Sequence, residues 1–157
     1  MPYYFKRKPK KDKSLPLFEK AGVKVKRKTD YVKKLDRIFS KYIRLRDAMP
    51  NGMIRCISCG QIKPYDKFDN GHYHSRTHMS TRFDEDNCHA ECKYCNRYKA
   101  DHMIGYRENL IKKIGKIRFD KLEWKAHKYR KWSDFELKDM IKDYSDLVNQ
   151  LKKEKGL

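Results

Sequence analysis

Four of the five cysteines in this 157-residue chain form two pairs, Cys56 with Cys59 and Cys92 with Cys95, each with two residues between its members. That spacing lets a tight turn aim both sulfurs at one tetrahedral ion, and a second such turn completes the shell. Gly60, directly after the first pair, suits the turn. Four sulfurs leave no open coordination position, so the zinc they imply is structural. An odd cysteine count with no export signal makes a disulfide framework a poor explanation. Cys88, four residues before Cys92, reads either as a competing ligand on a helix or as a small buried residue.

The stretch DNGHYHSRTHMSTRFDEDNCHAECKYCN, residues 69–96, carries His72 at a strand-like segment, Asn87 before the second cysteine pair and Asn96 directly after Cys95. Phosphodiester hydrolysis needs a base that takes a proton from water near neutral pH, where the unperturbed histidine pKa of roughly 6.5 lies. It also needs a cation against the phosphate and leaving oxygens, where charge develops. A histidine on a strand, an asparagine in the loop and a cysteine pair ending in Cys-Asn resemble the zinc-bearing branch of the HNH, or ββα-metal, nucleases. The resemblance implies that His72 is the general base, that Asn87 orients it and that Asn96 holds a divalent cation, Mg²⁺ or Mn²⁺. That branch places an aspartate ligand directly before the base, whereas Gly71 stands here. Asp69 is the expected substitute, brought round by a bulge at Gly71, with His74, Asp101 and His102 as other candidates for the same ion. Arg76, Arg82 and Arg97 are candidate phosphate clamps, although each could equally be a solvated charge. Plainer roles also exist, a packed histidine for His72 and caps or turns for the two asparagines.

At a finer level GHYHSR, TRFDEDNCHAECKYCN and YRENLIKKIG, within residues 71–115, resemble the NinG and Rap recombination proteins of lambdoid phages. The likeness runs from about Cys56 to Gly115 and less sharply beyond. It implies a metal-dependent, structure-selective endonuclease that cuts branched DNA such as Holliday junctions and D-loops, leaving a 5′-phosphate and a 3′-hydroxyl. Two rivals stand beside it. A zinc-finger DNA-binding protein without catalysis explains charge and cysteines but not the order of His72, Asn87 and Asn96; an HNH nuclease less selective for DNA structure explains all of them. An RNA-binding zinc protein would call for an aromatic stacking signature, and none stands out.

The elements that must position these residues follow from periodicity. Tyr31, Leu35, Ile38, Phe39, Tyr42, Leu45 and Met49 recur at threes and fours, with Asp30 as N-cap and Pro50-Asn51-Gly52 as stop, which predicts an amphipathic helix over 30–50. Segments 53–57 and 67–74 read as short strands, with 81–83 as partner of the second. A helix is expected to open at Cys92 and Cys95 and run towards Gly115, and a shorter one to span 120–130. The last starts at Ser133, where Ser133 and Glu136 suit a capping box and Phe135, Met140, Ile141, Tyr144, Leu147, Val148 and Leu151 line one face. That face either closes the core or joins two copies into a homodimer.

The chain holds 40 Lys+Arg against 21 Asp+Glu, a net charge of +19, with 39% charged residues. Such an excess implies a polyanionic partner, DNA above all, since each bound phosphate releases condensed counterions. No run approaches the roughly 18 apolar residues of a membrane helix, and the start lacks the apolar core of a signal peptide. These features predict no membrane association and a cytoplasmic location, that of the host cell if the chain is phage-encoded. Lys6, Arg7, Lys8, Lys10 and Lys11 belong to a Pro-punctuated basic arm that either tracks phosphate or merely solubilises. With a mean hydropathy of −1.06 the core must be thin, so the zinc serves as its staple. The expected fold is a small α+β protein: a flexible arm over 1–29, a helix over 30–50, a zinc-stapled HNH-like nuclease core over 51–116 and C-terminal helices over 117–157.

Overall fold

Asp30 accepts a hydrogen bond from the Lys33 amide at 3.0 Å and starts α1 (Tyr31–Asp47), the first element of the computed structural model, which describes residues 29–156. The arm residues Lys6, Arg7, Lys8, Lys10 and Lys11 lie outside that range. The apolar stripe of α1 buries Leu35, Phe39, Tyr42 and Ile43 against Leu137, Ile141 and Val148 of α5 (Asp134–Lys155). Phe39 meets Phe83 edge-on at 5.8 Å and Tyr144 at 4.8 Å between ring centres, geometries that aromatic quadrupoles favour. At the far end, Lys155 Nζ donates to the carbonyls of Leu45 at 2.6 Å and Ala48 at 2.5 Å, satisfying acceptors that the end of α1 leaves open.

Ser133 and Glu136 form both halves of the capping box at the start of α5. Of the face that periodicity suggests, Met140, Ile141, Tyr144, Val148 and Leu151 lie in or against the core, joined by Leu137, while Phe135 and Leu147 are exposed. The face closes the core of its own chain, the first of the two roles the sequence leaves open for it.

Between these helices lie two antiparallel pairs of strands. β1 (Met53–Arg55) pairs with β2 (Ile62–Pro64) as a hairpin, and β3 (Phe68–His72) pairs with β4 (Cys88–Cys92). The partner of β3 is thus 88–92 and not 81–83, which forms turns. Every residue of β4 is buried although the segment reads Cys-His-Ala-Glu-Cys, because His89 Nδ1 and Glu91 Oε1 find partners inside. The β3–β4 register runs unbroken from Phe68 opposite Cys92 to His72 opposite Cys88, so the expected bulge at Gly71 is absent. Glycine is needed there for space: a Cβ would lie 2.6 Å from Glu91 Oε2 and 3.1 Å from the Tyr106 ring.

The helix expected from Cys92 to Gly115 is broken into α2 (Lys93–Tyr98) and α3 (His102–Ile114). Gly115, at φ +81°, separates α3 from α4 (Lys116–Ala126), which begins four residues earlier than expected. Tyr106 of α3 is fully buried beneath the β3–β4 ladder, its hydroxyl within 3.2 Å of the Gly71 and Asn87 carbonyls. Among the described residues no helix is long and apolar enough to cross a membrane.

Candidate functional site

The first cysteine pair sits at the turn of the β1–β2 hairpin. The Gly60 amide donates to the Cys56 carbonyl at 2.9 Å, and Gly60 takes φ +73°, a conformation that side chains disfavour. Cys92 ends β4 and Cys95 lies in the first turn of α2, so strand and helix deliver the second pair. All four Sγ atoms lie within 4.8 Å of one another, with Cys59 and Cys92 4.0 Å apart. Tetrahedral Zn–S bonds of about 2.3 Å require sulfurs about 3.8 Å apart. The Cys92 amide also donates to Cys56 Sγ at 3.3 Å. Burial pushes the Cys56 thiol up to about 11 and the Cys95 thiol up as well, whereas, against burial, hydrogen bonds with the Gln61 backbone and the neighbouring cysteines hold the Cys59 thiol below its ordinary value; a soft cation would be matched by four thiolates. The cluster could therefore hold a metal ion such as zinc. Cys88 is outside it: buried on β4, its Sγ lies 3.6 Å from the Arg82 carbonyl.

Beside the cluster opens a cleft of about 880 Å³ whose lining includes Asp36, Asp69, His72, Arg76, Arg82, Asn96 and Arg97. Asp69 accepts from Asn96 Nδ2 at 3.2 Å and from Arg97 through two bonds, at 2.7 and 2.9 Å. His72 Nε2 lies 3.2 Å from the Arg82 carbonyl oxygen. The Asn70 backbone also hydrogen-bonds the ring, and both contacts favour a protonated nitrogen. Burial drives the His72 pKa below its ordinary value, with the Arg76 charge adding to the effect and the Arg82 carbonyl opposing it. The imidazole is therefore neutral at pH 7.

The three arginines differ. Arg82 is committed to Asp36 of α1 through bonds of 3.0 and 2.5 Å, and it donates to the Arg76 carbonyl at 3.0 Å. Arg97 is paired with Asp69 but about half exposed, at 51%. Arg76 is exposed and lines the cleft, and among the described residues its guanidinium meets no carboxylate.

Asn87 is fully buried, and its side-chain hydrogen bonds go to groups other than the His72 ring, unlike the orienting role expected of it. Its amide donates to the carbonyls of His74 and Thr81, each at 3.0 Å, and its oxygen accepts the His74 amide at 2.7 Å. It clamps the loop that follows the strand. His74 also lies outside the cleft, beside Glu123 at 3.5 Å, because β3 has ended at His72. His102 Nδ1 lies 2.6 Å from Glu91 Oε1, which also accepts Ser58 Oγ at 2.5 Å, and Asp101 is exposed. Of the candidates for a second ion, Asp69 alone joins Asn96.

Asp36, Ser40 and Asn70 enter the cleft without any motif pointing to them. For Asp36 one signal exists: it is the only acid between Asp30 and Asp47 on an otherwise basic helix. Asp47 accepts the Ala90 amide at 2.8 Å, and, against burial, His89 and Arg46 hold its carboxyl well below the usual range. This pins the end of α1 to β4.

The fold and site define a small mixed α+β protein with short antiparallel sheets and a four-cysteine cluster able to hold a metal ion. The family model described as the bacteriophage lambda NinG protein matches residues 5–154, and the chain belongs to the NinG family. It is 31% identical over 129 residues to the protein ninG of Salmonella phage P22, covering 82% of this chain and 61% of that one. To the protein ninG of Escherichia phage lambda it is 30% identical, covering 82% and 60%. The chain thus spans about three fifths of the length of these relatives. No solved structure matches it.

Proposed function

We propose that this chain is a metal-dependent DNA endonuclease of the HNH type, acting on branched recombination intermediates such as Holliday junctions and D-loops. The observation that carries the reading is a neutral, half-buried His72 in one cleft with the Asp69–Asn96 pair and the exposed Arg76. His72 would take a proton from water at whichever ring nitrogen is unprotonated, and the Arg82 carbonyl 3.2 Å from Nε2 would stabilise the imidazolium. Arg76 would hold a phosphate oxygen. Asp69 and Asn96 offer hard oxygen donors, the set that Mg²⁺ or Mn²⁺ selects, once the amide of Asn96 is turned and Arg97 released towards phosphate. When bound, such a cation supplies positive charge against the oxygens on which charge develops. Structural zinc would hold β4 and α2, and so Asn96, in place. The net charge of +19 supports a DNA substrate, and the branch preference rests on the resemblance to NinG and Rap.

The two-bonded Asp69–Arg97 pair favours a second reading, in which Asp69 is structural and the chain binds DNA without cutting it. Incubation with branched and linear DNA, with and without Mg²⁺, separates the two. Cleavage that needs Mg²⁺ and disappears in His72→Ala is the expected result; binding without cleavage under every condition establishes the second.

A further inference from the structure

Tyr94 and Tyr98 stand one turn apart on α2, with 62% and 76% of their surfaces exposed. Among the described residues neither ring packs against another ring or beneath a cation, and neither hydroxyl has a hydrogen bond. Such a pair is unusual because the other sides of α2 are all in use. Cys95 turns into the metal cluster, and Asn96 and Arg97 turn into the cleft. At about 100° per residue, Lys93 and Arg97 fall on the flank of the helix between the tyrosines and Asn96. Arg97 and Tyr98 are close enough to interact electrostatically. The tyrosines therefore stand on the outer face of α2, with Lys93 and Arg97 on the flank between them and the cleft.

We propose that Tyr94 and Tyr98 form a stacking platform for DNA bases that have left the duplex at a branch point. The inference rests on the DNA reading above and adds a recognition surface to it. Two residues one turn apart on a helix are separated by about 6 Å along its axis. That exceeds the ~3.4 Å between bases in a stacked strand, so the two rings suit bases already pulled apart. Aromatic stacking tolerates any sequence, because every base has a π face, and it demands that the face be free. Lys93, Arg97 and Lys99, interleaved with the tyrosines, give the charge that a strand's backbone needs. The same charges disfavour a protein partner, and two rings fall far short of the roughly 800 Å² that each side of a stable protein interface buries. Trp124 is a poorer platform although exposed, since Lys128 Nζ covers its ring at 4.2 Å.

The test is fluorescence anisotropy of the full chain without added Mg²⁺, on a three-way junction with unpaired branch bases and on a linear duplex with the same number of phosphates. Tyr94→Ala/Tyr98→Ala should weaken junction binding about tenfold or more. It should leave duplex affinity and the salt slope of binding unchanged, since no phosphate contact is lost. Tyr94→Phe/Tyr98→Phe should restore junction binding. In the wild type, 2-aminopurine at the branch should change its fluorescence on binding, a signal independent of how well the variants fold. Equal losses on both DNAs, Phe variants as weak as Ala variants, wild-type affinity in the Ala variant or a silent 2-aminopurine would each overturn the platform. Tight junction binding that is lost in the Ala variant, by a chain that cuts nothing, would support the platform while ending the nuclease reading. A wild type that binds no DNA would end both.

Discussion

At His72 a single proton decides what the cleft can do. Burial and Arg76 favour the neutral ring, so on the function proposed above the base would be available from below pH 6.5 upwards. Cleavage should rise with pH along an acid limb placed below the usual histidine value and be flat from neutral pH to the onset of alkaline effects. Arg76→Gln removes a positive charge, favours the imidazolium and should move that limb to higher pH; a limb that stays put places the base elsewhere. His72→Ala should lower cleavage by roughly 10²-fold or more at unchanged zinc content and DNA affinity, the usual scale for a positioned acid–base group. At Gly71 the decisive quantity is space. Gly71→Ala puts a methyl group 2.6 Å from Glu91 Oε2, so Glu91 must leave the positions it shares with Ser58 and His102. A loss of about 1–3 kcal/mol in denaturant unfolding is expected, as for other overpacked sites.

The elements explain which of these residues could be read in advance. α1 and α5 are amphipathic along their length, and Asp30 and the Ser133–Glu136 box mark their starts, so both are legible. The cysteine pairs are legible for another reason, since two residues between sulfurs is a geometric requirement of the ion. β4 was not legible. Cys88, His89 and Glu91 are buried through partners that arrive from α1, α3 and the first cysteine turn, and no local alternation records that. Asp69 was legible as a residue but not as a mechanism, because the expected bulge yields to a regular ladder that still sets its carboxylate beside Asn96. Asp36 was hidden because its role depends on Arg82, 46 residues away. The same separation of roles predicts what cysteine substitutions do. Cys56→Ser or Cys92→Ser should strip the metal, measured by elemental analysis, and unfold the two hairpins. Cys88→Ala should keep the metal and lose only stability, because its sulfur packs near the Arg82 carbonyl and not in the cluster. Loss of metal from Cys88→Ala would overturn that assignment.

Over the whole molecule the charge is uneven in kind. In the cleft, arginines are individually placed, and outside the described residues the sequence adds Lys6, Arg7, Lys8, Lys10 and Lys11. Deleting residues 1–28 should weaken DNA binding and flatten its dependence on salt, because fewer counterions are released, while turnover at saturating DNA persists. An unchanged slope would show that the arm makes no phosphate contacts.

The tie between Lys155 and the Leu45 carbonyl joins residues 110 positions apart, and it also sets an order of events. A ribosome adding about 5–20 residues per second needs on the order of 5–20 s to make that stretch. Throughout that interval α1 has been made but lacks the helix that covers Leu35 and Phe39, so it cannot settle as the wall that presents Asp36 to Arg82. The hairpins and their cysteines emerge earlier and can take up metal first. On the function proposed above, the cysteine cluster would form before the cleft, and the cleft would be complete only once α5 has been made.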